Sequence, residues 1–202
     1  ACLGGTAVCQ GRTADVRIDA DFPGGNIVVE KIEKDSAFVA PDLRDTQKGQ
    51  WWFYWNFRLR AAARTSLRIV FTGKNPIGVR GPAMSADGGV NWTWLGASAV
   101  RTQQRAGKSE YTFEAQVPEG RDEVRYAFCI PYVESHLRAF LQSHAREPAL
   151  RVEELCLSRK GRKVELLRVG CLDRARSRGT VLLTSRHHAC EALATYAVEG
   201  FL

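Results

Sequence analysis

The chain has 202 residues, 45% of them apolar and 25% charged, with a formal net charge of +7. That composition is globular and excludes a disordered tail, and no run of 18 apolar residues exists to form a membrane-spanning helix. The length suits one large domain, or one domain with part of another. The opening stretch, ACLGGTAVCQGRTADV, has neither a basic start nor a long apolar core, so it is not an intact secretory signal. It also begins on Ala1 instead of Met, which leaves the nature of the start open.

The first two-thirds alternate as half-buried strands do. Val16, Ile18, Ala20 and Phe22 share one face, and so do Phe53, Trp55, Phe57, Leu59 and Ala61. Tyr111, Phe113, Ala115 and Val117 form a third stripe, and Val124, Tyr126, Phe128 and Ile130 a fourth. Turn signals separate these runs: FPGGN, Lys74-Asn75-Pro76, SADGG and VPEGRDE. Short alternating strands with polar turns predict an antiparallel β-sandwich over residues 1–131. Within the cluster Trp51 to Trp55, alternation sends Trp51, Phe53 and Trp55 to one face and Trp52 and Tyr54 to the other. We read the first set as sandwich core and the second as covered at an interface with the following domain. Trp92 and Trp94 receive the same packing assignment.

The pattern changes near residue 132. ESHLRAFLQSHA places Leu137, Phe140 and Leu141 at helical spacing, with His136 and His144 as ordinary polar positions. RVEELCLS and KVELLRVG follow as strands around a turn at Lys160-Gly161. VLLTS is expected to be a further apolar strand, and CEALATYAVEGFL a helix with Leu193, Tyr196 and Ala197 on one side. Strands alternating with helices predict the opening of an α/β domain over 132–202. About three strands and two helices are too few to cover both faces of a central sheet, so we expect that domain to continue beyond Leu202.

The charge is uneven. Between Arg138 and Arg186 there are twelve Lys/Arg against five Asp/Glu, which accounts for the whole of the net charge. Such a surface attracts anions or acidic peptides over a Debye length of roughly 8–10 Å. The basic residues are not interleaved with aromatics, so no nucleic-acid partner is expected. The cysteines, at 2, 9, 129, 156, 171 and 190, form no CxxC pair. Set in apolar runs such as AFCI and ELCLS, they read as buried free thiols, which favours a reducing compartment.

The chemistry-bearing group is Arg186-His187-His188-Ala189-Cys190-Glu191, between the VLLTS run and the last helix. His188 and Glu191 form H-x-x-E. Zinc accepts imidazole nitrogen and carboxylate oxygen, and a catalytic site uses three protein ligands and an open position. Two ligands three residues apart at a strand-to-helix turn reach one ion without stretching the backbone. Taken alone the pair is equally an exposed His beside a first-turn Glu favoured by the helix dipole, or a His187–Glu191 pair at helical spacing.

Seven ordered blocks resemble the zinc carboxypeptidases, and in particular their cytosolic carboxypeptidase-like branch. FPGGNIVVE resembles that family's Gly-Gly-Asn opening, and PDLRDT and QWWFYWNFRL its sandwich strands. GPAMSADGGVNWTWLG is similar to its Trp-containing crossing segment, and YAFCIPYVESHLRAFL to the linker into the peptidase domain. LCLSRKGRKVELLRVG resembles the hairpin before the metal loop, and RHHACE falls where the family has Arg-x-His-Pro-Gly-Glu. The resemblance covers roughly residues 15–202.

It implies an N-terminal β-sandwich followed by the incomplete start of an α/β/α peptidase domain. It also implies a cytoplasmic enzyme that uses Zn2+ to hydrolyse C-terminal residues from peptides or proteins, acidic ones among them. In this register His188 and Glu191 are zinc ligands, His187 is a variable position, and Ala189-Cys190 replaces Pro-Gly. Cys190 is either a bystander under the turn or a redox-sensitive neighbour of the metal. Zinc would bring its water to a pKa of roughly 7 and polarise the scissile carbonyl. The third ligand, the general base and the arginine clamp for the terminal carboxylate lie downstream in the family, so no catalytic or substrate-binding residue is assigned within these 202 residues, and the chain is expected to be inactive alone. Arg186 reads as a surface or structural ion pair. The rival expectation is a non-catalytic sandwich that serves as a binding module.

Overall fold

A computed structural model describes residues 16–43, 53–173, 175–188 and 190–202. Cys2, Cys9, Trp51, Trp52 and Ala189 fall outside them. The chain divides into two compact units, Ala1–Ile130 and Pro131–Leu202. In chain order the strands are β1 (Arg17–Asp19), β2 (Val28–Glu33), β3 (Ser36–Ala40), β4 (Asn56–Arg60), β5 (Ser66–Thr72), β6 (Ala83–Ser85), β7 (Thr93–Trp94), β8 (Arg101–Arg105), β9 (Lys108–Gln116) and β10 (Glu123–Ala127). Then follow helix α1 (Glu134–Ser143), strands β11 (Leu150–Leu157) and β12 (Lys163–Val169), and helix α2 (Ala192–Phe201). The structure is mostly β.

The first unit holds two five-stranded sheets, ordered β1-β4-β10-β6-β7 and β2-β3-β5-β9-β8. Both contribute to a single core. Phe57 and Leu59 of β4 and Tyr126 of β10 meet Leu67, Ile69 and Phe71 of β5 and Phe113 of β9, all essentially inaccessible to water. Trp55 lies between the sheets, with ring centroids 5.2 Å from Phe71 and 5.9 Å from Phe113. Its indole N–H donates to the Pro76 carbonyl at 2.9 Å, so its polar atom is satisfied in the core. Tyr126 ties one sheet to the other. Its hydroxyl accepts from the Gln116 amide at 2.8 Å and donates to the Gln116 carbonyl at 3.1 Å. Burial pushes its pKa up to about 12.

One pairing departs from the antiparallel expectation: β3 and β5 are parallel. The strand between them in sequence, β4, belongs to the other sheet. The chain therefore re-enters beside β3 in the same direction, without a hairpin.

The FPGGN turn is held by close approach. A Cβ on Gly25 would lie 2.1 Å from the Ala20 carbonyl oxygen, so only glycine fits. The next residue, Asn26, is 4% exposed and clasps Asp42, donating to its carbonyl at 2.9 Å and accepting from its amide at 2.8 Å. Tyr54, on the opposite face of the same run, is buried, and its hydroxyl donates to the Gly24 carbonyl at 2.8 Å. Trp92 and Trp94 are only partly buried and lie outside the core. Trp92 donates to Gly89 within its own turn, and Arg80 covers Trp94 on the edge strand β7.

In the second unit β11 and β12 form an antiparallel hairpin, its register shifting between Glu154 and Cys156. Ser158 closes the turn, its amide donating to Arg162 and its hydroxyl accepting from the Arg162 amide at 3.0 Å. The expected strand at VLLTS is absent, and Val181 and Leu182 are about four-fifths exposed (81% and 78%). A strand exists only as part of a ladder, and no described segment of this unit pairs with it. Among the described residues of this unit, β11 and β12 are the strands, and they pair only with each other. Cys156 and Cys171 are exposed, contrary to the expectation of buried thiols, while Cys129 and Cys190 are buried. The apolar run ELCLS that suggested burial lies on a two-stranded sheet, with Leu155 and Leu157 exposed.

Candidate metal centre

The His-Glu turn is built outward from its backbone. Arg186 adopts a left-handed conformation with φ 57°, a cost of about 1–2 kcal/mol for a residue with a Cβ. Its guanidinium donates to the Tyr132 carbonyl, which holds the bend in place. Arg186 thus has a structural role, through the Tyr132 carbonyl. Glu191 then donates its amide to the His188 carbonyl at 3.1 Å and stands at the N-cap of α2. There its charge faces the positive end of the helix.

Aromatic contacts anchor α2. Tyr196 meets Tyr132 edge-on at 5.0 Å and donates its hydroxyl to the Pro131 carbonyl at 2.8 Å. The Tyr132 hydroxyl donates to Glu199 on the next turn of the helix. Burial, the Glu199 hydrogen bond and the Glu199 charge all push the Tyr132 pKa up, so it stays a donor at any ordinary pH. His136 is more than an ordinary polar position of α1. It accepts from the Val133 amide at 3.0 Å and packs 5.3 Å from the Tyr132 ring. His144 ends that helix, with Nδ1 2.9 Å from the Phe140 carbonyl. Periodicity marks Tyr196 as apolar. It does not show that Tyr132 and Glu199, 67 residues apart, are partners.

His188 and Glu191 come together. His188 Nδ1 lies 2.9 Å from Glu191 Oε1, and the His188 amide donates to Oε2 at 3.1 Å. Both side chains are accessible, at 67% and 43%. These bonds, with the neighbouring imidazoles, hold the Glu191 carboxyl below its ordinary pKa, so it is an anion at neutral pH. Two donors each about 2.0–2.2 Å from a tetrahedral zinc ion lie roughly 3.3 Å apart. The observed 2.9 Å falls within a small side-chain rotation of that value. An imidazole and a carboxylate therefore fit two positions of a zinc site.

The neighbouring residues do not join them. His187 turns its Nε2 to Thr184 Oγ1 at 3.1 Å. Cys190 is 7% exposed, and burial pushes its thiol pKa up, opposite to what a reactive thiolate needs. Its surroundings match a bystander packed under the turn. Among the described residues no three of His, Cys, Asp and Glu converge into a complete metal site.

No family model matches the chain. It is similar to cytosolic carboxypeptidase 3 of Bos taurus, 23% identical over 210 residues that cover 91% of this chain and 21% of that protein. Among solved structures it resembles a metallo-carboxypeptidase from Burkholderia cenocepacia, with 26% identity, a TM-score of 0.73 and coverage of 92% of this chain and 47% of that one. It also resembles a metallo-carboxypeptidase from Pseudomonas aeruginosa in complex with (2-guanidinoethylmercapto)succinic acid, at 25% identity and TM-score 0.54, covering 76% of this chain and 40% of that one. The chain thus spans about a fifth of the curated relative and under half of these structures.

Proposed function

From the chain's relationship to the zinc carboxypeptidases, we propose that it is the N-terminal portion of a zinc-dependent metallocarboxypeptidase that hydrolyses C-terminal residues from peptides or proteins. Residues 1–131 would be its β-sandwich, and 132–202 the first part of an α/β/α peptidase domain. His188 and Glu191 would hold the metal, and the observation that carries this is their 2.9 Å approach at the head of α2. Bound zinc would supply Lewis-acid chemistry at the scissile carbonyl and acidify water.

The chain's own residues prepare the site. Glu191 offers a carboxylate that is already ionised. Arg186 and the Tyr132–Tyr196 pair fix where the turn stands. To hold the ion, His188 Nδ1 and the Glu191 carboxylate would turn from each other to the metal and give up their mutual hydrogen bond. Two donors make a weak site, and the isolated chain is accordingly inactive. A cytoplasmic setting is supported by the curated relative, which is named a cytosolic enzyme. No helix of the described residues is long and apolar enough to cross a membrane.

The test is made on the complete protein. His188→Ala should lower zinc affinity by more than the ~10–100-fold typical of outer-shell changes, and peptide hydrolysis should go with it. Retention of both zinc and activity would overturn the assignment. The second reading, a non-catalytic binding module, draws on a core built within the first unit and on the absence of a third ligand among the described residues. It predicts that the complete protein takes up no zinc and hydrolyses no peptide.

A further inference from the structure

The outer face of the β1-β4-β10-β6-β7 sheet carries an unusual excess of guanidinium. Register places Asp19, Arg58 and Arg125 in one cross-strand row, and Arg17, Arg60 and Glu123 in the next. All six alternate with core residues, so they stand on the face away from the core. Four arginines therefore share two carboxylates. Asp19 takes Arg58 at 2.8 Å, Arg60 at 3.4 Å and Arg17 at 3.8 Å. Glu123 takes Arg60 at 3.4 Å and Arg58 at 3.8 Å.

Arg125 is left over. No carboxylate of the described residues lies within ion-pair distance of it, and its Nε, sealed from solvent, has no hydrogen-bond partner. Phe22 covers the guanidinium at 4.3 Å. Gly89 leaves room on the other side, since a Cβ there would come within 2.9 Å of an Arg125 terminal nitrogen. Glu123 and Asp19 offset the charge of this half-buried cation only from beyond ion-pair distance, and a carboxylate in direct contact would offset it further. Desolvation lowers the Arg125 pKa, yet an arginine remains charged at neutral pH.

We propose that this face is a docking surface for an acidic polypeptide segment, whose carboxylates are taken by Arg60 and Arg125. Charge complementarity selects the partner. A guanidinium fork matches a planar carboxylate. Arg125 stands opposite Arg58, so its row lies two residues from that of Arg60, and an extended peptide presents alternate side chains at the same repeat of about 6.8 Å. A nucleic acid would want free aromatic faces for its bases, whereas Phe22, the aromatic at the patch, is already stacked on arginine. The surface lies on the first unit and does not depend on the His188–Glu191 turn.

The test measures anisotropy of a fluorescein-labelled ten-residue Glu-rich peptide, with a Gln-rich peptide, inorganic phosphate and single-stranded DNA as further probes. Binding of the Glu-rich peptide should weaken as salt rises. The double variant Arg60→Gln/Arg125→Gln should weaken it at least tenfold. Arg159→Gln/Arg162→Gln, in the basic hairpin turn of the second unit, should change it less than twofold. Arg125→Lys keeps the charge, loses the fork and should give an intermediate loss. If Arg125→Gln does not fold, Arg60→Gln alone reads the same loss at the more exposed position. Unchanged binding in the Arg60 variant, an equal loss in the hairpin variant, or binding of DNA or phosphate as tight as that of the peptide would each overturn the proposal.

Discussion

Asp87 shows how one carboxylate organises a turn that composition alone marks only as flexible. It accepts from the Ser85 hydroxyl at 2.8 Å, the Val90 amide at 3.0 Å, the Asn91 amide at 2.9 Å and the Asn91 side chain at 2.7 Å. The Asn91 bonds, then Ser85, hold its pKa far below the ordinary carboxylate value. A depressed carboxyl stabilises the fold fully above its unfolded pKa of about 3.9, and that stabilisation is lost as pH falls through the folded value. The melting temperature of the native chain should therefore drop between pH 4 and pH 2 by more than that of Asp87→Asn. Parallel acid limbs in the two melting curves would show that the turn does not draw on the ionised group. The same scale explains why SADGG was legible as a turn while its donors were not: a glycine pair marks the bend, but nothing in the linear order says which carboxylate collects four hydrogens.

Among elements, α2 depends on contacts that arrive from far along the chain. Its own propensity is modest, with Gly200 near its end and no described side-chain cap at its start. Its place is set by Tyr196 against Tyr132, by Glu199 receiving the Tyr132 hydroxyl, and by Arg186 gripping the Tyr132 carbonyl. Arg186→Gln should shorten that reach and release the left-handed bend. Amide exchange across 192–201 should then quicken about five- to tenfold, the equivalent of roughly 1–1.4 kcal/mol for a charge-assisted hydrogen bond. Exchange rates that match the native chain would place the anchor elsewhere. The helix itself was readable from its 3.6-residue period. The failed strand at VLLTS shares a cause with the exposed Cys156: apolar runs record what a segment is suited to bury against, and burial happens only where a partner surface is present.

For the whole molecule, the decisive contact is between sheets. Trp55 touches aromatic rings of both and is inaccessible to water. Trp55→Ala should cost about 3–5 kcal/mol, seen as a shift in the denaturant midpoint of the first unit. A change below about 1 kcal/mol would mean that the two inner faces do not share a core. The amino-acid sequence by itself determined the layered β character, the inward stripes of β4, β9 and β10, the two helices, the hairpin about Lys160-Gly161 and the kinship to carboxypeptidases. All of these follow from local periodicity or short ordered motifs, which survive without knowledge of neighbours. Only the tertiary structure decided that β3 and β5 run parallel, that the Tyr54 hydroxyl meets Gly24, that Cys190 is sealed while Cys156 is open, and that no carboxylate of the described residues reaches Arg125 at ion-pair distance. Each of those depends on which distant segment comes alongside, and burial, pairing and desolvation are properties of that meeting, not of the residue that undergoes it.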